Sequence, residues 1–213
     1  METPAGGRKC PPEPYPDRRG AIGSEMLSVV IATHDSERLL VRTLAALVPG
    51  ATAGLITEVL VADAGSRDDT AAVADIAGCN FLVAEGSLGK RLAAGAAAAR
   101  APWLLFLRPG TILDAPWVGE ARGFVERPRP DVRAAVFRRA APAQPGLREA
   151  LSALVAALRT RPRPEQGLLI NADFYRASGG HAARAADPES DLLRRIGRRR
   201  IATLSTRAFP ADT

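Results

Sequence analysis

The chain contains almost no cysteine, almost no lysine and few aromatic residues. Cys10 and Cys79 are its only cysteines, too few for a disulfide framework, so a reducing cytoplasm is the expected compartment. Aromatic residues make up 5% of the 213 residues and no nucleic-acid-binding motif occurs, which argues against a nucleic-acid partner. No apolar run approaches the ~20 residues that a membrane span requires, and no signal-peptide pattern opens the sequence.

Arginine is the residue that the chain has in excess. Its 29 basic residues include only two lysines, Lys9 and Lys90, and exceed the 23 acidic residues to give a formal charge of +6. Such a balance favours anionic partners, for example phosphates or acidic lipid head groups. The hydrophobic content of 46% is ordinary for a globular protein, and the length suits a single domain.

Residues 1–25 differ in composition from the rest of the chain. They are rich in proline and glycine, lack hydrophobic periodicity, and carry charges that cancel. Such a segment buries too little apolar surface to offset its ordering entropy, which predicts a disordered extension. Met26 directly precedes the first strand pattern, so either Met1 or Met26 can be the start of the protein. We predict that residues 26–213 form one domain.

From residue 27 onward, short apolar runs alternate with helical patterns. Strands are predicted at Leu27–Thr33, Glu58–Ala62, Asn80–Ala84, Trp103–Leu107, Val132–Arg138, Gly167–Ile170 and Ile201–Ser205. Helices are predicted at Glu37–Val48, after Ala64-Gly65-Ser66 through Ile76, and at Leu88–Arg100, Asp114–Glu126, Leu147–Arg159, Asp173–Ala177 and Asp187–Ile196. The alternation predicts an α/β domain with a mainly parallel central sheet flanked by helices. Ligands of such sheets bind beyond the carboxyl ends of the strands.

Five sequence blocks occur in an order that is typical of one enzyme family. They are S-V-V-I-A-T-H-D-S-E from Ser28, V-A-D-A-G-S-R-D-D-T from Val61, G-K-R-L-A-A-G from Gly89, W-L-L-F-L from Trp103, and the segment from Gln166 to Gly180. Together they resemble family 2 glycosyltransferases, which have a GT-A, Rossmann-like fold. The resemblance implies a nucleotide-sugar donor, an unknown acceptor hydroxyl and transfer with inversion.

The resemblance implies a nucleotide site built from the first three blocks. Asp63 closes the second strand, where a carboxylate can accept hydrogen bonds from a base or ribose; the alternative is a turn or helix-cap residue. Thr33 is expected to touch the nucleotide, and Glu37 either reaches the base or begins a helix. Lys90, with Arg91 on the same helical turn, is expected to contact the diphosphate, the alternative being a solvated charge.

The chain departs from the family where a metal ion is usually held. Family members place Asp-x-Asp after the fourth strand to bind Mg²⁺ or Mn²⁺, whereas this chain has Arg108-Pro109-Gly110. None of these side chains offers the oxygen ligand that a hard divalent cation requires, so we predict no metal cofactor. Two explanations remain open. Arg108 replaces the cation against the diphosphate, or the site has decayed into a non-catalytic binding or scaffolding domain.

A second departure concerns the catalytic base. Inverting relatives carry an acidic pair at the start of a late helix, whose carboxylate deprotonates the acceptor. Matching the Arg-Arg-hydrophobic helix ends places Glu189 at the base position and Asp191 two residues later, although acidic residues also simply favour helix N-termini. Gln166 opens the acceptor-side segment and His181 directly follows it. Both are expected to contact substrate, the alternative for His181 being a surface position.

A basic run closes the last predicted helix, comprising Arg194, Arg195, Arg198, Arg199 and Arg200. It complements the helix macrodipole, or it lies on an anionic membrane at the inner face, where some relatives meet lipid-linked acceptors. Exposed apolar helices also make an oligomer an expectation. A dinucleotide-binding enzyme is disfavoured, because the first strand is not followed by G-x-G-x-x-G.

Overall fold

The computed structural model describes residues 26–127, 129, 131–140 and 162–210. The extension predicted at residues 1–25 and the helix predicted at Leu147–Arg159 lie outside the described residues. Within the described part, no helix is both long and apolar enough to cross a membrane.

Within the described ranges, eight strands form one mixed sheet in the order β3-β2-β1-β4-β7-β6-β8-β5. The strands are β1 Leu27–Thr33, β2 Ile56–Asp63, β3 Asn80–Val83, β4 Trp103–Leu107, β5 Ile112–Leu113, β6 Ala134–Arg139, β7 Leu168–Asn171 and β8 Ile201–Phe209. Four pairings are parallel and three, which join β4 to β7, β7 to β6 and β8 to β5, are antiparallel. The predicted α/β class with a mostly parallel sheet is confirmed.

Six helices cover the two faces of this sheet in the described residues. They are α1 Glu37–Thr52, α2 Thr70–Ile76, α3 Leu88–Ala98, α4 Trp117–Glu126, α5 Ala172–Ala177 and α6 Pro188–Ile196. Central strand β1 is buried along its whole length because it contacts both layers. Val29 and Ile31 face the core under α1, α2 and α4, while Val30 faces the core under α3, α5 and α6. This double burial explains why β1 is apolar throughout.

The parallel strands bring their carboxyl ends to one edge of the sheet. Thr33, the last residue of β1, lies opposite Asp63, the last residue of β2, and Ile31 lies opposite Leu107, the last residue of β4. The loops after β1, β2 and β4 therefore meet at this edge, as expected for the ligand crevice of an open α/β sheet.

The first helix extends past the point where the sequence predicts its end. Pro49-Gly50 is expected to stop α1, but the helix continues to Thr52. Proline removes only one backbone hydrogen bond here, and Gly50 is needed for close packing, since a Cβ at this position would lie 2.4 Å from a ring carbon of Trp117. Burial of Trp117 against α1 therefore outweighs the local helix-breaking signal.

Two boundaries near the end of the sheet also differ from prediction. The helix expected from Asp114 begins at Trp117, because the residue before Pro116 is disfavoured in helical conformation. Asp114 instead donates its backbone N–H to Arg207, on a strand that runs to Phe209 rather than ending at Ser205. The extension of β8 arises because it pairs with β5, a two-residue strand that the sequence did not indicate.

Candidate active site

The loops after β1 and β2 are locked together by side-chain hydrogen bonds. The backbone N–H of Asp35 donates to Ser66 Oγ at 2.8 Å, and the N–H of Arg67 donates to Asp35 Oδ1 at 2.8 Å. Asp35 has a positive φ of 45°, which Asp tolerates better than most residues. Ser66 thus joins the two loops.

Asp63 is the centre of this network. It is 1% exposed, and its carboxylate accepts four hydrogen bonds. Thr33 Oγ1 and Ser66 Oγ donate to Oδ1 at 2.7 and 2.5 Å, and the N–H groups of Gly65 and Ser66 donate to Oδ2 at 2.8 and 2.6 Å. Burial raises the pKa of Asp63, but these hydrogen bonds outweigh it and hold the pKa below its ordinary value.

Asp63 therefore makes the contacts of a turn residue, which was the alternative to its nucleotide-binding role. A carboxylate offers about four lone-pair sites, and at Asp63 the protein itself occupies them. The hydroxyl of Thr33 is committed to the same network, and Thr33 is 1% exposed. Glu37 begins α1, as one reading of the sequence predicted, and its N–H donates to Asp68 Oδ2 at 3.0 Å. Nucleotide contacts by these residues stay predictions.

The start of α3 carries the two cations predicted to meet the diphosphate. Ser87 caps the helix by accepting from the N–H of Lys90, and its hydroxyl donates to the carbonyl of Ala183 at 2.5 Å. The Lys90 side chain is exposed. Arg91 donates to the carbonyl of Gly86 at 2.9 Å and so holds the loop before the helix. Arg91 thus has a structural contact whereas Lys90 is exposed, and contacts of both with a diphosphate stay predictions.

Arg108 follows the buried strand β4 and forms ion pairs with two carboxylates. Its Nε and Nη2 donate to Glu189 Oε2 at 2.8 and 2.5 Å, and its Nη1 lies 3.4 Å from Glu165 Oε1. Glu189 stands in the first turn of α6, which Asp187 caps by accepting from the N–H of Ser190. The structure thus joins the residue at the metal position to the candidate base, 81 positions apart in sequence.

Glu189 is in an environment that favours its protonated form. Its side chain is 11% exposed, against 39% for Arg108. Burial raises the pKa of Glu189 above its ordinary value, because the opposing effect of Arg108 is too small to offset it and the negative charges of Asp187 and Glu165 add to it. A buried carboxylate with a raised pKa is suited to accept a proton.

The donor set at this edge does not fit a divalent cation. Pro109 and Gly110 have no ligating side chain, and a positively charged guanidinium occupies the position before them. The nearby carboxylates Glu165 and Glu189 already pair with that guanidinium. Among the residues that the structure describes, no group of three or more His, Cys, Asp and Glu side chains is placed to hold a metal ion.

His181 and Gln166 are buried rather than presented to the crevice. His181 is 5% exposed, its Nδ1 lies 3.0 Å from the hydroxyl of Tyr175, and its ring packs edge-on against Phe106. The surface alternative for His181 is therefore wrong. Burial, together with the charge of Arg195, lowers the pKa of His181 to about 4, so it is neutral near pH 7.

Gln166 uses both ends of its amide on the backbone. Its Nε2 donates to the carbonyl of Phe137 at 2.6 Å and its Oε1 accepts from the N–H of Arg163 at 2.8 Å. These bonds fix the 3₁₀ turn Pro164–Gln166 that carries Glu165. Substrate contacts by Gln166 and His181 stay predictions beside these structural contacts.

The two candidate bases on α6 have different surroundings. Asp191 accepts hydrogen bonds from Arg194 at 2.5 Å and from Arg195 at 2.9 Å, and these bonds lower its pKa.

Glu165 was missed by the sequence analysis, although it directly precedes Gln166. Its role depends on a contact with Arg108 across 57 positions, which no local pattern encodes.

Comparison with known proteins agrees with this architecture. The M. tuberculosis glucosyl-3-phosphoglycerate synthase, solved with Mn²⁺, UDP and glucosyl-3-phosphoglycerate, superposes with a TM-score of 0.66 at 19% identity over 89% of this chain and 73% of that one. TarS of S. aureus gives a TM-score of 0.65 at 15% identity over 87% and 60%. Mannosyl-3-phosphoglycerate synthase of Rubrobacter xylanophilus gives 0.59 at 18% over 89% and 68%. At these identities the likeness shows the fold alone.

The sequence itself carries the family relationship. In a comparison with curated proteins, none matched the chain. The sequence model of the family described as "Glycosyl transferase family 2", however, matches residues 28–183, well over half of the chain. The match begins at the first block of the resemblance and includes both crevice loops, Arg108 and Glu165. The chain therefore belongs to glycosyl transferase family 2.

Proposed function

We propose that this protein transfers a sugar from a nucleotide-sugar donor to an acceptor hydroxyl, with inversion and without a divalent metal. The observation that carries the proposal is the contact between Arg108 and Glu189 at the carboxyl end of β4. It places a permanent cation beside a buried carboxylate of raised pKa, at the edge where the family binds its donor.

In the proposed reaction, Glu189 accepts the proton of the acceptor hydroxyl. The acceptor oxygen forms a bond to the anomeric carbon of the sugar while the bond from that carbon to the diphosphate oxygen breaks. The leaving nucleoside diphosphate takes the electron pair of the broken bond. Arg108 and the exposed Lys90 stabilise its negative charge, which a guanidinium can do through two parallel hydrogen bonds.

The donor is proposed to be a nucleoside-diphosphate sugar. Support comes from the M. tuberculosis structure, which contains UDP, and from the loops after β1 and β2, which hydrogen bonds hold together at the carboxyl ends of the strands. Arg108 must then share its charge between the carboxylates and the phosphates. Because Glu165 contacts Nη1 of Arg108, the Arg108 guanidinium can turn toward a diphosphate and still keep one of its two carboxylate partners.

The proposal is tested by donor turnover in the presence of EDTA. The full chain is incubated with a panel of nucleotide sugars, and release of nucleoside diphosphate is measured with EDTA and with Mn²⁺. We expect release from one donor under both conditions, with kcat lowered at least about 100-fold in Glu189→Gln and Arg108→Ala. Asp75→Asn, a change at an exposed position on α2, is the matched control and should retain the rate.

A second candidate function is a non-catalytic domain of the same fold. The observation that favours it is the charge balance around Arg108, which already pairs with two carboxylates, Glu165 and Glu189. These carboxylates compete with a diphosphate for the single positive charge of Arg108. Titration calorimetry against the same panel separates the two. Nucleotide binding that Arg108→Ala and Glu189→Gln leave unchanged, together with no turnover, would support the non-catalytic domain and overturn the transferase.

A further inference from the structure

A second charged cluster lies at the opposite edge of the sheet from Arg108. Asn171, the last residue of β7, pairs with Trp103, the first residue of β4, and the N–H of Asn171 donates to the carbonyl of Arg133. Arg133 directly precedes β6, so it lies at the edge where the parallel strands begin. This edge is separated from the candidate active site by the length of β4.

The starts of β6 and β8 hold two arginines side by side. The two strands are parallel and Ala134 lies opposite Ile201, so Arg133 and Arg200 occupy matching positions just before them. The N–H of Arg133 donates to the carbonyl of Arg200 at 3.2 Å, which fixes this arrangement. Like charges on neighbouring strands repel each other, so the fold keeps an unfavourable charge pair at this position.

These arginines line a cavity of about 480 Å³. The other lining residues are Asp131, Phe174 and Arg199. The Arg200 guanidinium lies over the Phe174 ring, 5.9 Å from its centroid, which orients the guanidinium beside the cavity. Phe174 thus provides an apolar wall and the arginines provide a fork of donors.

The cluster has more positive charge than its own carboxylate can balance. Among the described residues of the cavity wall, Asp131 is the one acidic side chain, against three arginines. Within the part of the chain that the structure describes, Arg133, Arg199 and Arg200 form no ion pair, and all three are exposed. Exposed arginines nearby differ, because Arg176, Arg194 and Arg195 each pair with a carboxylate.

We propose that this cavity, formed by Arg133, Phe174, Arg199 and Arg200, binds a phosphate group. Guanidinium groups match the oxygens of a phosphate in bidentate geometry, and a bound dianion relieves the repulsion between Arg133 and Arg200. The phosphate belongs to a soluble phosphate compound or to a lipid head group, since both present the same oxygens. The site is independent of the proposed transferase reaction, which uses the other edge of the sheet.

The test uses the full chain and two probes. Inorganic pyrophosphate, titrated by calorimetry, represents a soluble phosphate compound, and sedimentation with phosphatidylcholine vesicles containing phosphatidylglycerol represents a lipid head group. We expect at least one probe to bind and its affinity to fall at least about tenfold in Arg199→Ala/Arg200→Ala. Arg199→Lys/Arg200→Lys, which keeps the charge but loses the forked donors, should fall between the wild type and the double alanine variant.

The control removes the same charge from another surface. Arg38 and Arg42 are exposed on α1, so Arg38→Ala/Arg42→Ala matches the change in net charge. Equal weakening in both double alanine variants would reveal a general charge effect and overturn the site. Unchanged binding in Arg199→Ala/Arg200→Ala would place the anion elsewhere, for example at Lys90, and would also overturn it, as would no binding of either probe to the folded wild type. Binding of pyrophosphate alone identifies a soluble ligand, and vesicle binding identifies a lipid head group.

Discussion

At the half of the crevice formed by β1 and β2, the buried Asp63 is held by neutral donors, whereas at the half formed by β4 and α6 the buried Glu189 is held by a cation. The hydroxyl and N–H donors around Asp63 satisfy the charged carboxylate on both oxygens. Arg108 contacts only one oxygen of Glu189, and Asp187 and Glu165 oppose its effect.

The two environments give the carboxylates opposite pKa shifts. Burial alone would raise both, but the hydrogen bonds around Asp63 lower its pKa, whereas the pKa of Glu189 remains raised. A carboxylate that the fold keeps charged stabilises the structure, and one whose charged form is under-compensated is poised for proton transfer. The proposed reaction therefore uses the second half of the crevice for proton transfer, while the hydrogen bonds of Asp63 hold the first half together.

The largest expected effect is loss of stability in Asp63→Ala. The change leaves buried donors of Thr33, Gly65 and Ser66 without an acceptor, so the free energy of unfolding should fall by roughly 3 kcal/mol. Urea denaturation at pH 7 measures it, with Asp75→Ala, at an exposed position on α2, as the control. Because the folded-state pKa of Asp63 is lowered, its contribution is present above the ordinary Asp pKa and is lost as the pH falls through the folded value. Equal stability of the two variants would show that the network is not structural.

The next effect concerns His181, in the β4–α6 half. Its pKa is lowered from 6.5 to about 4, so the stability from burying neutral histidine is present above pH 6.5 and is lost as the pH falls toward 4. The pKa difference of His181 between the unfolded and folded states corresponds to a loss of on the order of 3 kcal/mol in the free energy of unfolding. In His181→Phe, the part of acid destabilisation between these values should disappear from urea midpoints measured across that range. Tyr175→Phe, which keeps the histidine, should retain it.

Glu189→Gln is expected to change the stability by less than Asp63→Ala does, and in the opposite direction. The pKa of Glu189 is raised in the folded state, so its contribution to stability is fully present below the unfolded pKa and is lost as the pH rises through the folded value. Glutamine imitates the protonated form. The variant should therefore be more stable than the wild type at pH 7, by less than about 1 kcal/mol, and equal to it near pH 4. A variant less stable at pH 7 would mean that the ion pair with Arg108 is a net structural asset.

The strands that were predicted most accurately are the fully buried ones at the centre of the sheet. The bounds of β1 and β4 agree with prediction because both are central strands whose apolar runs end abruptly at polar residues. The predicted end of α1 was wrong, and the strand β5 was not predicted at all. In both cases a tertiary contact decided the outcome, the packing of Trp117 on Gly50 and the pairing of β5 with β8.

The site was predicted as separate residues and not as a cluster. Arg108 was expected to face a diphosphate and Glu189 an acceptor, each from its own motif. Their contact depends on how α6 packs beside the end of β4, which no spacing along the chain encodes. The role of Glu165 and the four hydrogen bonds to Asp63 were not predicted for the same reason. Both depend on which residues the fold brings within hydrogen-bond distance.

The smallest expected effect distinguishes the two acidic residues of α6. Asp191 lies two residues after Glu189 in sequence, but it pairs with Arg194 and Arg195 at the surface, where solvent screens ion pairs. If the reactive carboxylate is the buried one, Asp191→Asn should leave both donor turnover and the urea midpoint at wild-type values, whereas Glu189→Gln loses turnover. A loss of turnover in Asp191→Asn with Glu189→Gln unaffected would exchange the roles of the two residues. Burial with incomplete charge compensation would then not be what marks the reactive carboxylate in this fold.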